Sequence, residues 1–266
     1  MTDKWLLQLQ SFFNARAKDP KMGEDDLALN GYKAPNHRSY WTEAVRRRLL
    51  EDIVGKLQLS PSHHVLDVGC GTGMILREIG PKVAYVTGID FSAGMLAIAR
   101  KHLPPNADLK QMNVTDLSFE NETFDRVLCY SVITNFLDDA FTLSVLKQLV
   151  RVTRRGGGIL IGNTPDEETR ERQTELIEQQ WKGRPQSLSS QSFPSSRPLN
   201  RMKNFLRNHL LHPASLGNRF YTKDFFIQFA QGASCEIEIL PLEVEGYLYA
   251  PCRFDVRLWP LHPKRS

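Results

Sequence analysis

Between residues 64 and 163, five short apolar runs alternate with stretches of helical periodicity, a rhythm that few folds accommodate. The runs cover residues 64–68, 83–90, 108–112, 124–130 and 158–162. Runs so short and so continuously apolar suit strands covered on both faces, as in a parallel sheet. The stretches between them supply the crossovers. Residues 73–80 follow a glycine-rich turn, and residues 93–103 put Met95, Leu96, Ile98 and Ala99 on one side with Ser92 placed as N-cap. Residues 139–155 space Phe141, Val145, Leu146, Leu149 and Val152 helically and then meet Gly156-Gly157-Gly158. Such alternation winds right-handed, which predicts a doubly wound α/β sheet.

The rest of the chain departs from that rhythm. Residues 2–17 and 42–58 read as amphipathic helices leading into the first strand. After Asp166 the alternation breaks. A charged helix is expected at 167–181, a Ser/Pro-rich loop at 186–198 and a second helix near 199–211. Two late strands follow, at 235–240 and 247–256. The expected organisation is an N-terminal helical segment covering the active site (1–40), a binding core (41–165), an inserted helical cap (166–217) and a closing segment with the last helix and two strands (218–266).

Composition excludes several classes. Lys and Arg total 34 against 30 Asp and Glu, a net charge of +4 that is too mild for a nucleic-acid-binding chain. The cluster Arg46-Arg47-Arg48 reads as the solvated face of a helix. Cys70, Cys129, Cys235 and Cys252 show neither C-x-x-C spacing nor paired histidines, so no metal is expected and the cysteines read as reduced packing residues. Trp5-Leu6-Leu7 is broken at once by Gln8 and Gln10, unlike a signal peptide. No apolar run approaches the ~20 residues that span a bilayer. A cytoplasmic chain without a membrane partner is expected.

The chemistry concentrates at Asp67-Val68-Gly69-Cys70-Gly71-Thr72-Gly73, where the first run ends. Alternate glycines allow positive φ and remove Cβ atoms that would block a ligand. A ligand can then lie along the main chain near a helix N-terminus, at the carboxyl edge where open α/β sheets bind. Three polar positions strengthen that reading. Asp67 precedes the glycines and could pair with an ammonium group, Asp90 ends the second run where a ribose diol could be held, and Asn113 follows the third where a purine edge could be read.

The run Val65-Leu66-Asp67-Val68-Gly69-Cys70-Gly71-Thr72-Gly73 resembles the first signature of class I S-adenosylmethionine-dependent methyltransferases, and the resemblance extends over roughly residues 40–165. It implies a doubly wound, seven-stranded Rossmann-like sheet with the last strand antiparallel. S-adenosylmethionine is then the cofactor and S-adenosylhomocysteine the product. The resemblance places Asp67, Gly69, Gly71, Gly73, Asp90, Phe91, Met95, Asn113, Val114 and Tyr130 around that cofactor. Asn113 stands where the family usually has an Asp, keeping an acceptor oxygen but losing a charge. Tyr40, with His37 and Trp41, lies in a region that often folds over the sulfonium in this family.

The acceptor is less constrained. His37 is a candidate base and Asn135 a candidate for orienting the acceptor, while Trp181, Arg219 and Tyr221 are candidate cap contacts. The fourth run ends in Tyr130-Ser131-Val132-Ile133 and lacks the Asn/Asp-Pro-Pro-aromatic tetrapeptide of enzymes that methylate planar amide or adenine nitrogens. A small-molecule acceptor is therefore expected, methylated on oxygen or nitrogen. The competing readings are an RNA or protein methyltransferase, a non-catalytic cofactor-binding subunit, and a nicotinamide-dependent dehydrogenase. The last is disfavoured because dinucleotide folds use G-x-G-x-x-G.

Overall fold

A computed structural model of the protein describes residues 2–18, 41–182 and 219–261. Its centre is one seven-stranded sheet. The strands are β1 (His64–Val68), β2 (Tyr85–Asp90), β3 (Ala107–Gln111), β4 (Phe124–Tyr130), β5 (Thr153–Pro165), β6 (Cys235–Pro241) and β7 (Arg253–Pro260). They lie in the order β3-β2-β1-β4-β5-β7-β6. The first five run parallel, and β7 is antiparallel to both β5 and β6. The order reverses between β1 and β4, and such a reversal opens a crevice at the carboxyl edge.

Seven helices are described: α1 (Thr2–Ala17), α2 (Glu43–Leu57), α3 (Met74–Ile79), α4 (Ala93–Ala99), α5 (Asp139–Val152), α6 (Arg170–Lys182) and α7 (Lys223–Gly232). The alternation within strands decides which face each side chain covers. Val127 and Cys129 of β4 join α5 and α7 in one core, whereas Leu128 and Tyr130 join α2 and α3 in the other. The double winding expected from the sequence follows from that two-sided burial. Thr42 caps α2, accepting from the Val45 N–H at 3.3 Å, and Ser92 caps α4, accepting from Met95 N–H at 3.2 Å.

Two boundaries differ from the sequence expectation. The helix expected to reach residue 155 ends at Val152, because Thr153 turns extended and pairs with Phe124. Its N–H still closes on Leu149 and Val150, and its hydroxyl donates to the Leu149 carbonyl at 2.7 Å. β5 therefore starts before the glycines rather than after them. The closing strand expected over 247–256 instead runs Arg253–Pro260. Residues before it form a turn and a short 3₁₀ segment, Ala250–Cys252, in which Pro251 has no N–H to give a ladder.

Helix α1 carries a different kind of information. Its Phe13 and Ala17 pack on Met95 and Ile98 of α4, on the β2 side of the crevice. Gln10 donates to the Phe91 carbonyl at 2.6 Å. The Asn14 Oδ1 accepts from the Ser92 hydroxyl at 2.8 Å and from Gly94 N–H at 3.0 Å. The N-terminal helix is thus fastened to the loop that follows β2.

Candidate cofactor pocket

At the carboxyl edge the chain leaves β1 through a turn in which Gly69 and Gly71 take φ of +74° and +53°. Few side chains tolerate that backbone. A Cβ on Gly69 would meet the Val132 side chain at 2.5 Å, so β1 and β4 approach closely there. A Cβ on Gly71 would meet nothing within 4 Å, because Gly71 faces open space in the pocket wall. Backbone laid bare in this way is what a ligand lying along the main chain requires.

Asp90, at the tip of β2, faces the same pocket and is 7% exposed. Its two carboxylate oxygens accept from Gly71 N–H at 3.1 Å and Ser92 N–H at 2.8 Å, so the side chain is oriented before any ligand arrives. Burial pushes its pKa up to about 6, against those backbone hydrogen bonds. Asp67 lies deeper, 2% exposed, with Oδ2 lacking any hydrogen-bond partner. Burial, and then the neighbouring Asp90, push Asp67 up to about 7. Two buried carboxylates this close, one with an orphaned oxygen, form a site that a cationic or hydroxyl-rich ligand would relieve.

Several expected site residues meet at this pocket. Phe91 and Met95 follow Asp90 in its wall, and Asn113 and Val114 enter from beyond β3. The Asn113 Oδ1 accepts from Thr115 N–H at 3.2 Å, which fixes the amide. Asn135 lines the opposite side, after β4. Tyr130 touches the pocket, but its ring packs against Gly162 in the α2-side core and its hydroxyl is buried there without a partner. Burial raises that phenol well above the ordinary tyrosine range.

Others stand elsewhere. Asp67 is behind the turn rather than in the pocket wall, and Gly73 serves close packing, its Cβ position lying 3.1 Å from the Ala99 methyl. His37 and Tyr40 lie outside the described residues, as does the Trp181 side chain. Tyr221 is a core residue, its hydroxyl 3.0 Å from that of Thr142 and donating to the Ile133 carbonyl at 2.9 Å. Arg219 pairs with Asp139 on α5.

Residues 1–40 are expected over the site, but the side chains of the pocket's apolar wall are not among the expected site residues. Trp5, Leu6, Leu9 and Phe13 of α1 close one side, and Phe136 and Phe141 close another. Trp5 meets Phe141 edge-on at 5.2 Å, so the two walls touch. Ser131 belongs to the run Tyr130-Ser131-Val132, which the resemblance sets against the methionine portion of the cofactor, and it lines the pocket. It adopts φ of +60° at the end of β4, and its hydroxyl accepts from the Asn163 Nδ2 at 2.7 Å. Asn163 itself holds φ of +56° at the corresponding point of β5. Two left-handed non-glycine residues at matching positions of β4's end and β5 mark backbone held in place by its surroundings.

Residues 65–157 match the family model of the methyltransferase domain. That segment is a methyltransferase domain. The cofactor of such a domain is S-adenosylmethionine, and the bare Gly71 and the oriented Asp90 fit it. Among curated proteins, the chain is 40% identical over 104 residues to a phosphatidylethanolamine N-methyltransferase of Cereibacter sphaeroides, covering 37% of this chain and 49% of that one. It is 32% identical over 117 residues to a demethylmenaquinone methyltransferase of Alkalihalophilus pseudofirmus, covering 41% and 48%. The chain thus spans about half the length of these curated relatives.

Solved structures carry the fold further along the chain. The DhpI-SAM-HEP complex aligns over 96% of this chain and 97% of its own, with a TM-score of 0.60 at 18% identity. The YcgJ protein of Bacillus subtilis aligns over 82% and 100%, with a TM-score of 0.54 at 14% identity. Among the described residues of the domain, no group of three or more His, Cys, Asp or Glu could hold a metal ion, and no helix is long and apolar enough to cross a membrane.

Proposed function

We propose that the chain methylates a small-molecule acceptor, on oxygen or nitrogen of a metabolite or natural product, with S-adenosylmethionine as donor. The observation that carries this reading is the pocket itself: a bare glycine turn and an oriented Asp90 on one side, closed by the aromatic wall of α1 on the other. A pocket covered by a helix favours a compact acceptor over a polymer. The names of the relatives, a phosphatidylethanolamine and a demethylmenaquinone methyltransferase, support a small acceptor as well.

The bound donor supplies an electrophilic methyl group on a sulfonium. The protein's part is positioning and exclusion of water, which account for much of the rate of an in-line transfer. Asp90 offers its remaining acceptor capacity to the ribose hydroxyls, and the aromatic and aliphatic wall keeps water from the reacting atoms. Asn135 stands on the acceptor side and orients the nucleophile. Among the described residues the pocket wall offers no histidine, and Asp90 is its only carboxylate. With Tyr130 buried in the other core, transfer relies on a nucleophile that arrives neutral or is deprotonated by a group outside the described residues.

Incubation with methyl-labelled donor and separated cell fractions tests this. Label should enter the small-molecule pool; label confined to RNA or protein would overturn the proposal. Replacing Asp90 with Ala should weaken binding of S-adenosylhomocysteine by roughly 1–3 kcal/mol, as expected for unpaired polar groups.

A further inference from the structure

One buried cation at the carboxyl edge has no part in the cofactor pocket. Arg253 opens β7 opposite Pro165, the last residue of β5, and is 9% exposed. Its Nη1 donates to the Asn163 carbonyl at 3.1 Å, and its guanidinium carbon lies 6.0 Å from the Tyr249 ring centre. Its Nε has no partner. Among the described residues no carboxylate pairs with it, whereas Arg257, two residues on, pairs with Glu238. A buried guanidinium without a counter-charge is costly, and its five donors are built for bidentate oxyanions. Burial lowers the Arg253 pKa, and the groups opposing that fall are tyrosines and a cysteine rather than an acid.

Arg253 faces a cavity of about 900 Å³, within the size range of small-molecule sites. The other charges around it are accounted for. Asp166 pairs with Lys223 at 3.2 Å, Lys223 also holds Glu168 at 2.6 Å, and Glu245 is held by Arg48 at 3.2 Å. Glu243 is exposed to solvent. Asn163 stands between this cavity and the cofactor pocket. Its Nδ2 donates to Ser131 in the pocket wall at 2.7 Å and to the Tyr247 hydroxyl in the cavity wall at 3.1 Å, while its carbonyl holds Arg253. Ser131, Pro165 and Arg253 all stand at the carboxyl edge of the parallel strands.

We propose that Arg253 anchors an oxyanion, a carboxylate or a phosphate, carried by the methyl acceptor. This rests on the methyltransferase reading above and narrows its substrate to anionic molecules. Asn163 acts as a positioning residue, tying the anchored end to Ser131 beside the pocket.

The test uses the full chain in three forms: wild type, Arg253→Gln and Arg253→Lys. Thermal melts are recorded with inorganic phosphate, with acetate, and with chloride at matched ionic strength, each with and without S-adenosylhomocysteine. Phosphate or acetate should raise the wild-type melting temperature beyond chloride, and the anion that does so identifies the acceptor's group. Arg253→Gln should weaken that anion by roughly tenfold or more, and Arg253→Lys should retain part of the effect. The shift caused by S-adenosylhomocysteine should be the same in all three. An anion response equal to chloride, or one kept in Arg253→Gln, overturns the proposal. So does a loss of the S-adenosylhomocysteine shift in Arg253→Gln alone, which would place the arginine on the cofactor. Absence of that shift in the wild type would instead overturn the methyltransferase reading. Should Arg253→Gln fail to fold, selenate soaked into wild-type crystals decides: an anomalous peak at the guanidinium supports the anchor, and none there overturns it.

Discussion

The carboxylate pair of Asp90 in the pocket wall and Asp67 behind the glycine turn makes cofactor affinity a function of pH. Without ligand, Asp67 titrates at about 7 and Asp90 at about 6, both raised chiefly by burial. A donor that uses their charge must first remove their protons. At about pH 5 that means three pH units in total, two for Asp67 and one for Asp90, at about 1.4 kcal/mol each. Affinity for S-adenosylhomocysteine should therefore fall by about 4 kcal/mol, roughly a thousandfold, between neutral pH and about pH 5. The logarithm of affinity should climb with a slope near two below about pH 6, near one up to about pH 7, and level off above it. Isothermal calorimetry in buffers of different ionisation heat measures both the affinity and the protons released. The unliganded protein should show the converse. Raised carboxylate pKa values contribute stability that is fully present below about pH 4 and lost as pH rises through about 6 to 7. The melting-temperature gain on adding ligand should then grow with pH. Asp67→Asn should remove the step between about pH 6 and 7 and keep the lower one. Affinity that stays flat from about pH 5 to 8, with no proton released, would refute the coupling of these carboxylates to the ligand.

Other expectations follow from single contacts. Gly71→Val places a β-branched side chain at φ of +53° and into the pocket, so ligand binding should be lost by calorimetry while circular dichroism still reports the sheet. Asn14→Ala removes two hydrogen bonds that fasten α1 and should cost roughly 1–3 kcal/mol of local stability, read as faster amide exchange across Thr2–Ala17 with β4 unchanged. Lys56→Met strands the fully buried Asp255, whose Oδ2 lies 2.6 Å from the lysine, and should destabilise the fold by about 3–5 kcal/mol in urea unfolding.

The sheet was legible in the sequence because its strands are buried on both faces. Apolar runs ending in Gly69, Asp90 and Tyr130 announce parallel strands and their carboxyl edge together. Boundaries were less legible where a backbone choice depended on a distant partner. Thr153 leaves α5 because Phe124 is there to pair with, and nothing within residues 139–155 encodes that. Likewise Tyr247 reads as strand by propensity, yet its hydroxyl is drawn to Asn163 and the chain turns instead. The apolar pocket wall was hidden for a related reason. Periodicity shows that α1 buries Leu9 and Phe12, but not what it buries them against. Polar residues that read ligands sit at strand ends, where their positions are countable; the aromatic residues beside them look like any other core.

The fastening of α1 to the loop after β2 bears on how the polypeptide is made. The helix leaves the ribosome before the groups that Gln10 and Asn14 bond to, which are synthesised about 80 residues later. Isolated helices of this length are marginal in water. Until Phe91, Met95 and Ile98 appear, Phe13 lacks the side chains it packs on. The helix thus settles only after an anchor made later than itself.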